Sequence, residues 1–246
     1  MRFKAIFIDI DDTLLDYVPC CREAFFEALP PLPASPTRGG EGKTDDELFE
    51  LFFEISGRLF SEAKHGLHTI AEVMELYPAE FIARSGLVPD PNEQERMTDI
   101  FKHAFRAAWG ETHTLVPGAK ETLDRLRAKG YRLFAASNSF GHLQRRRLDR
   151  AGILPLFEDT FISMDIGYDK PDIRFFEHAL VQVNRSGETV LPEEVLMVGD
   201  SMTTDILGAQ KAGLKTCFFN RRPEEKRNEQ TADYEIYTIT DLLAIL

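Results

Sequence analysis

The chain predicts an α/β fold with a parallel sheet, interrupted after its first strand by an all-helical insertion. Three observations predict it. From residue 117 onward, short apolar runs alternate with helix-patterned segments, the texture of strands joined by crossover helices. Glycines close those helical segments at positions 130, 152 and 213, where a left-handed residue just past a helix end is favoured. A first strand, "FKAIFIDI", is separated from this region by residues 17–113, which carry no strand signal.

The elements follow in order. Residues 3–10 read as a buried strand that ends in acids. In the insertion, "DELFELFFEISGRLF" places Leu48, Leu51, Phe52, Ile55 and Leu59 on one helical face, the spacing of a 3.6-residue period. "TIAEVMELYPAEFIARSG" and "NEQERMTDIFKHAFRAAW" read as two more helices, and Phe49, Phe52, Phe53 and Phe60 are expected mostly in the insertion's core. "PPLPASPTRGGEGKT", residues 30–44, reads as a surface loop rich in turn formers. Its end resembles half a P-loop, but Thr37 stands where that pattern needs glycine, and prolines stand where it needs a strand. Nucleotide binding is therefore not expected there.

Beyond the insertion, helices are expected near 119–129, 142–150 and 203–212, and strands at "YRLFAAS", "TFIS", "VLMVGD", "KTCFF" and "YEIYTI". Arg145, Arg146 and Arg147 read as the solvated face of the second of these helices. Pro171 suits the first turn of the helix that follows it. Asp16 reads as a cap for the helix after the first strand. Crossovers of this length join parallel strands with a right-handed sense. The expected division is an α/β core of residues 1–16 and 114–246 and a helical insertion of 17–113, with its two connections side by side above the end of the first strand.

Bulk properties limit the function. A net charge of −12 argues against nucleic acid or an anionic membrane as partner. It leaves anionic small molecules open, because a bound cation reverses the local field. Cys20, Cys21 and Cys217 have no metal-ligand spacing and are expected as reduced thiols. No apolar run reaches membrane-spanning length, and a cytoplasmic location is expected. Nothing in the chain signals an oligomeric state.

In open parallel sheets, ligands bind beyond the carboxyl ends of the strands, and that rule gathers the chemistry. The first strand ends at Asp9 and Asp11, the second at Ser137 and Asn138, and "VLMVGDSMTTD" at Asp200, with Asp205 one turn on. Lys170 lies between another strand and a helix. Asp9 and Asp200 supply hard oxygen ligands suited to Mg²⁺, and the cation offsets the repulsion that clustered carboxylates would otherwise feel. A carboxylate can attack phosphorus to give an aspartyl-phosphate. Asp11 can protonate the leaving oxygen and later deprotonate water. Lys170 and Ser137 can stabilise charge on the phosphoryl oxygens.

"DIDDTLLD", "SN" at 137–138, Lys170 and "GDSMTTD" together resemble the four ordered motifs of the haloacid dehalogenase superfamily of aspartate-nucleophile phosphatases. The resemblance implies a Rossmann-like three-layer core with an inserted all-helical cap domain. It implies Asp9 as nucleophile, Asp11 as acid and base, and Ser137 and Lys170 as catalytic and phosphate-binding groups, and Asn138 is expected with them in the substrate- and phosphate-binding set. It also implies Asp9, Asp200 and the backbone carbonyl of Asp11 as ligands of Mg²⁺, and Asp205 as a supporting acid. Asp12 departs from the glycine that many relatives carry. With "SNSFGHLQRRRLDRAGI", "DKPDIRFFEHAL" and "GDSMTTDILGAQKAGLKTCFFN", it resembles a subgroup of nucleoside 5′-monophosphate phosphatases, some acting on noncanonical pyrimidine nucleotides.

The leading expectation is therefore a Mg²⁺-dependent phosphomonoesterase of a small phosphorylated metabolite, with a nucleoside 5′-monophosphate first. A sugar-phosphate or sugar-acid phosphatase, or a mutase, is the alternative. Hydrolytic dehalogenation is disfavoured, because a halide needs no acid and Asp11 supplies one. A phospho-accepting signalling module is disfavoured by the long insertion.

Overall fold

The computed structural model describes residues 3–32, 42–187, 189–222 and 231–246. Residues 33–41, which hold most of the proline- and glycine-rich loop and the start of the half P-loop, lie outside these.

The chain divides into two compact units, Met1–Tyr17 with His113–Leu246 and Val18–Thr112. In the first, six strands form one sheet in the order β3-β2-β1-β4-β5-β6. They are β1 (Ala5–Ile8), β2 (Arg132–Ser137), β3 (Asp159–Ile162), β4 (Val195–Gly199), β5 (Lys215–Phe219) and β6 (Tyr234–Ile236). Every neighbouring pair is parallel. β1 is central, with Ala5 in register with Arg132 on one side and Val195 on the other.

Side-chain alternation along β1 explains the layers. Ile6 and Ile8 join a core with Leu123 and Leu126 of α5 (Ala119–Ala128), Leu148 of α6 (Gly141–Arg150) and Leu242 of α10 (Leu242–Ile245). Ala5 and Phe7 point the other way, against Phe175, Phe176 and Ala179 of α8 (Ile173–Val183) and Ala209 of α9 (Leu207–Lys211). Successive strand residues face opposite sides, so a strand covered on both faces reads as a continuous apolar run. That is why "AIFI" carries no polar residue. Gly130, Gly152 and Gly213 take φ of 88°, 67° and 81°, the left-handed conformation expected at these helix ends.

Three local expectations are corrected. Pro171 precedes α8 rather than opening it, because Asp172 is the N-cap and its carboxylate accepts the Arg174 N–H. The segment near 203–212 opens with a π-helical turn, Met202–Ile206, before α9. Asp16 is drawn away from capping by Arg221, whose Nη2 lies 2.5 Å from its Oδ2. The Asp12 carboxylate instead accepts the Tyr17 N–H at 3.3 Å.

The second unit holds the rest of α1 (Tyr17–Ala28) with α2 (Asp45–Lys64), α3 (Ile70–Ser85) and α4 (Pro91–Trp109). Thr44 with Glu47 and Thr69 with Glu72 form capping boxes at the starts of α2 and α3, each satisfying backbone donors that a helix start leaves open. Phe25, Phe52, Phe81 and Phe101 are buried at its centre. Their rings pack 4.9 Å apart for Phe81 and Phe101 and 5.0 Å for Phe25 and Phe52. Edge-to-face and tilted pairs of this kind add to burial, so an aromatic-rich helical unit can hold its own core. No helix of the described residues is long and apolar enough to cross a membrane.

Candidate active site

The carboxyl ends of β1, β2 and β4 bring the chemical groups together. Asp9 follows β1, and its backbone N–H donates to Val198 O of β4 at 2.9 Å, which ties the loop to the sheet. Asp9 is 7% exposed, Lys170 3% and Asp205 1%. Lys170 Nζ donates to Asp9 Oδ1 at 2.7 Å, Asp205 Oδ1 at 2.6 Å and Ala136 O at 2.7 Å. These account for all three ammonium donors. Asn138 holds the lysine's backbone from both sides: its Nδ2 donates to Lys170 O and its Oδ1 accepts the Lys170 N–H, each at 2.8 Å.

One oxygen from each of Asp9, Asp200 and Asp205 can be chosen so that all lie within 4.8 Å of one another. Burial pushes the Asp9 carboxyl well up; Lys170 pulls it down, while Asp205 and Asp200 push it further up. Burial alone would pull Lys170 down, but Asp205 and Asp9 hold it above the ordinary lysine range. Three carboxylate oxygens this close together are the hard, oxygen-only donor set that suits Mg²⁺.

Asp205 is held as well as buried. Its Oδ1 takes Lys170, and its Oδ2 accepts the Ser201 N–H at 3.1 Å. The carboxylate lies so close to the end of β4 that a Cβ on Gly199 would meet Asp205 Cγ at 2.5 Å. Gly199→Ala is therefore expected to cost about 1–3 kcal/mol, the usual cost of overpacking a tight site. A thermal melt measures it. An unchanged melting temperature would mean that Asp205 is not held against that turn.

Asp12 explains its own departure from glycine. Its φ is 59°, in the region where glycine is favoured and where aspartate is tolerated if its side chain bonds locally. The bonds are to the Tyr17 N–H and to Arg222 Nη2 at 3.2 Å. Around it, Asp16 N donates to Thr114 O at 2.8 Å and Val116 N to Leu14 O at 2.9 Å. The chain leaving β1 and the chain returning at residue 114 thus run side by side.

Asp11 is where sequence reasoning missed something. Arg147 is not on a solvated face: it is fully buried, and its Nη1 donates to Asp11 Oδ1 at 2.6 Å. Gln144, also fully buried, donates to Asp11 Oδ2 at 2.6 Å and to Ser137 Oγ at 3.0 Å. Their i, i+3 spacing on α6 was the one available signal, since residues so spaced share a helix face.

Comparison with known proteins gives the family. The family profile described as haloacid dehalogenase-like hydrolase matches residues 3–213. The chain belongs to that family. It is a hydrolase, built on the parallel sheet described above. This hydrolase is 26% identical over 247 residues to the pyrimidine 5′-nucleotidase PynA of Streptococcus pneumoniae, covering 100% of this chain and 96% of that one. It is 28% identical over 229 residues to a glyceraldehyde 3-phosphate phosphatase of Methanothermobacter thermautotrophicus, covering 92% and 89%. Among solved structures, the magnesium-bound YfnB protein of Bacillus subtilis superposes with a TM-score of 0.82 at 26% identity, covering 100% of this chain and 99% of that one.

Proposed function

We propose that this hydrolase is a phosphomonoesterase that works through an aspartyl-phosphate on Asp9, with a nucleoside 5′-monophosphate as substrate. The observation that carries the reading is the pair Asp9 and Asp11 at the end of β1, one buried beside Lys170 and Asp205, the other 27% exposed at its side chain. Two carboxylates so differently placed suit two different tasks.

An Asp9 oxygen attacks phosphorus, the bond from phosphorus to the ester oxygen breaks, and that oxygen leaves with a proton from Asp11. The Asp11 carboxylate then takes a proton from water. The water oxygen attacks the phosphoryl group, and the bond from phosphorus to Asp9 breaks to release phosphate. Lys170 holds Asp9 in place, and Ser137 presents its hydroxyl to the phosphoryl oxygens. Asp9, Asp200 and the Asp11 carbonyl would hold Mg²⁺, which when bound neutralises phosphate charge. Asp205 is the support of Lys170, its oxygens already taken by protein donors.

The nucleotide substrate is supported by likeness to PynA. Likeness to a triose-phosphate phosphatase supports a second reading, a sugar-phosphate substrate. We further propose the helical unit, Val18–Thr112, as the cap that selects between them. The YfnB crystal form is described as revealing interdomain movement in that protein, which is the behaviour a selecting cap needs.

The deciding experiment is a panel of nucleoside 5′-monophosphates and sugar phosphates assayed with Mg²⁺ and with excess chelator. Expected is a kcat/KM at least about tenfold higher on a nucleotide, a difference of ~1.4 kcal/mol in transition-state binding, and loss of turnover with chelator. A sugar phosphate turned over faster than every nucleotide would replace the substrate. Full turnover in chelator would remove the metal.

A further inference from the structure

Burying a guanidinium or a primary amide without partners is costly, so the partners of Arg147 and Gln144 indicate why they are inside. Arg147 Nη1 donates to Asp11 Oδ1 at 2.6 Å and to Gln144 Oε1 at 2.8 Å. Arginine has no acceptor, so the Gln144 oxygen must face it. The Gln144 amide nitrogen must then face away, toward Asp11 Oδ2 and Ser137 Oγ, at 2.6 and 3.0 Å. Both oxygens of the Asp11 carboxylate are thus gripped from one face of α6, and the same amide reaches the hydroxyl at the end of β2. Arg145, two residues earlier, shows the contrast: its side chain is 42% exposed and pairs with Asp165 near the surface.

We propose that Arg147 and Gln144 are positioning residues of the catalytic centre: they hold the Asp11 carboxylate in one orientation and register it against Ser137. The inference rests on the proposed acid and base role of Asp11. Proton transfer needs the donor within hydrogen-bond reach of the reacting oxygen, about 2.6–3.2 Å. A displacement of about 1 Å in a catalytic group can cost on the order of 10²-fold. A carboxylate on two free side-chain torsions would be held that closely only part of the time. The clamp removes that freedom, and the price is two polar side chains fully buried on α6.

A core-filling role and a positioning role make different predictions. Arg147→Met, Gln144→Met and Arg147→Lys would each be made in the wild-type protein and in an Asp11→Asn background. The readouts are kcat and KM on an alkyl phosphate and on an aryl phosphate, with a thermal melt for each variant. An aryl oxide leaves without much help from a proton, so kcat/KM on the aryl phosphate, which covers the steps through phosphoenzyme formation, reports everything except proton delivery to the leaving group.

In the wild-type background, Arg147→Met and Gln144→Met should lower kcat on the alkyl phosphate by about 10–100-fold, with KM within about threefold. The loss of kcat/KM on the aryl phosphate should be several-fold smaller than on the alkyl phosphate, and Arg147→Lys should retain part of the activity that Arg147→Met loses. In the Asp11→Asn background the same changes should cost less than about threefold, because groups that act through one residue are not additive. Equal losses of kcat/KM on both substrates, or equal losses in both backgrounds, would overturn the proposal. Should Arg147→Met fail to fold, Gln144→Met and Arg147→Lys carry the same test. If Asp11→Asn itself leaves alkyl turnover intact, the acid role falls and takes the clamp with it. If Asp11→Asn is damaging and the α6 changes are additive with it, only the clamp falls.

Discussion

Asp9→Asn is expected to abolish turnover, by about 10³-fold or more, while the protein stays folded. A loss of that size corresponds to about 4 kcal/mol of transition-state stabilisation. Asparagine has the same shape, and its carbonyl oxygen can still accept the Lys170 ammonium that lies 2.7 Å from Asp9 Oδ1. What it lacks is an anionic oxygen able to form an acyl phosphate. Stability should not suffer. Burial, the largest cause, together with Asp205 and Asp200 disfavours the charge on Asp9 more than Lys170 favours it, and the amide carries none to disfavour. The melting temperature should therefore match or exceed that of the wild type. Single-turnover assays and a thermal melt measure the two halves separately. More than about a tenth of wild-type activity would rule Asp9 out as the nucleophile.

How much of this was legible in the sequence depends on the distance over which each feature is decided. Gly130, Gly152 and Gly213 were legible because a helix end is settled by a few neighbouring residues. Asp9 and Asp200 were legible as residues at strand ends because the apolar runs before them mark buried strands, and parallel sheets gather strand ends at one rim. Arg147 was not. In "QRRRL" three arginines look alike, and the one that is buried is chosen by a partner 136 positions away. Asp16 failed in the same manner. Local rules offered it a helix start, but Arg221, from the end of β5, is its closest cation. The π-helical turn at Met202–Ile206 was hidden too, since nothing in "SMTTDI" distinguishes it from an ordinary first turn. It carries Asp205, whose oxygens meet Ser201 and Lys170.

The second large effect concerns Lys170, where Lys170→Met should remove both activity and a large share of stability. Its ammonium is 3% exposed at the residue level and meets Asp9, Asp205 and the Ala136 carbonyl within 2.7 Å. Methionine fills the volume and offers no donor. Two buried carboxylates would then face each other without the cation between them, and a backbone carbonyl would lose its partner. Breaking a buried ion pair from one side typically costs about 3–5 kcal/mol, because the charge left behind is uncompensated. In a chain of this size that corresponds to a fall in melting temperature of roughly 6–20 °C. The double variant Lys170→Met with Asp205→Asn separates the causes. It removes the opposing charge, so it should recover part of the lost stability and none of the activity, since Asp9 would still lack the ammonium that holds it. Were the single variant as stable as the wild type, the three hydrogen bonds of Lys170 would not be what stabilises the carboxylate cluster. If the double variant were less stable than the single one, electrostatic repulsion between the carboxylates would be the wrong cause of the loss.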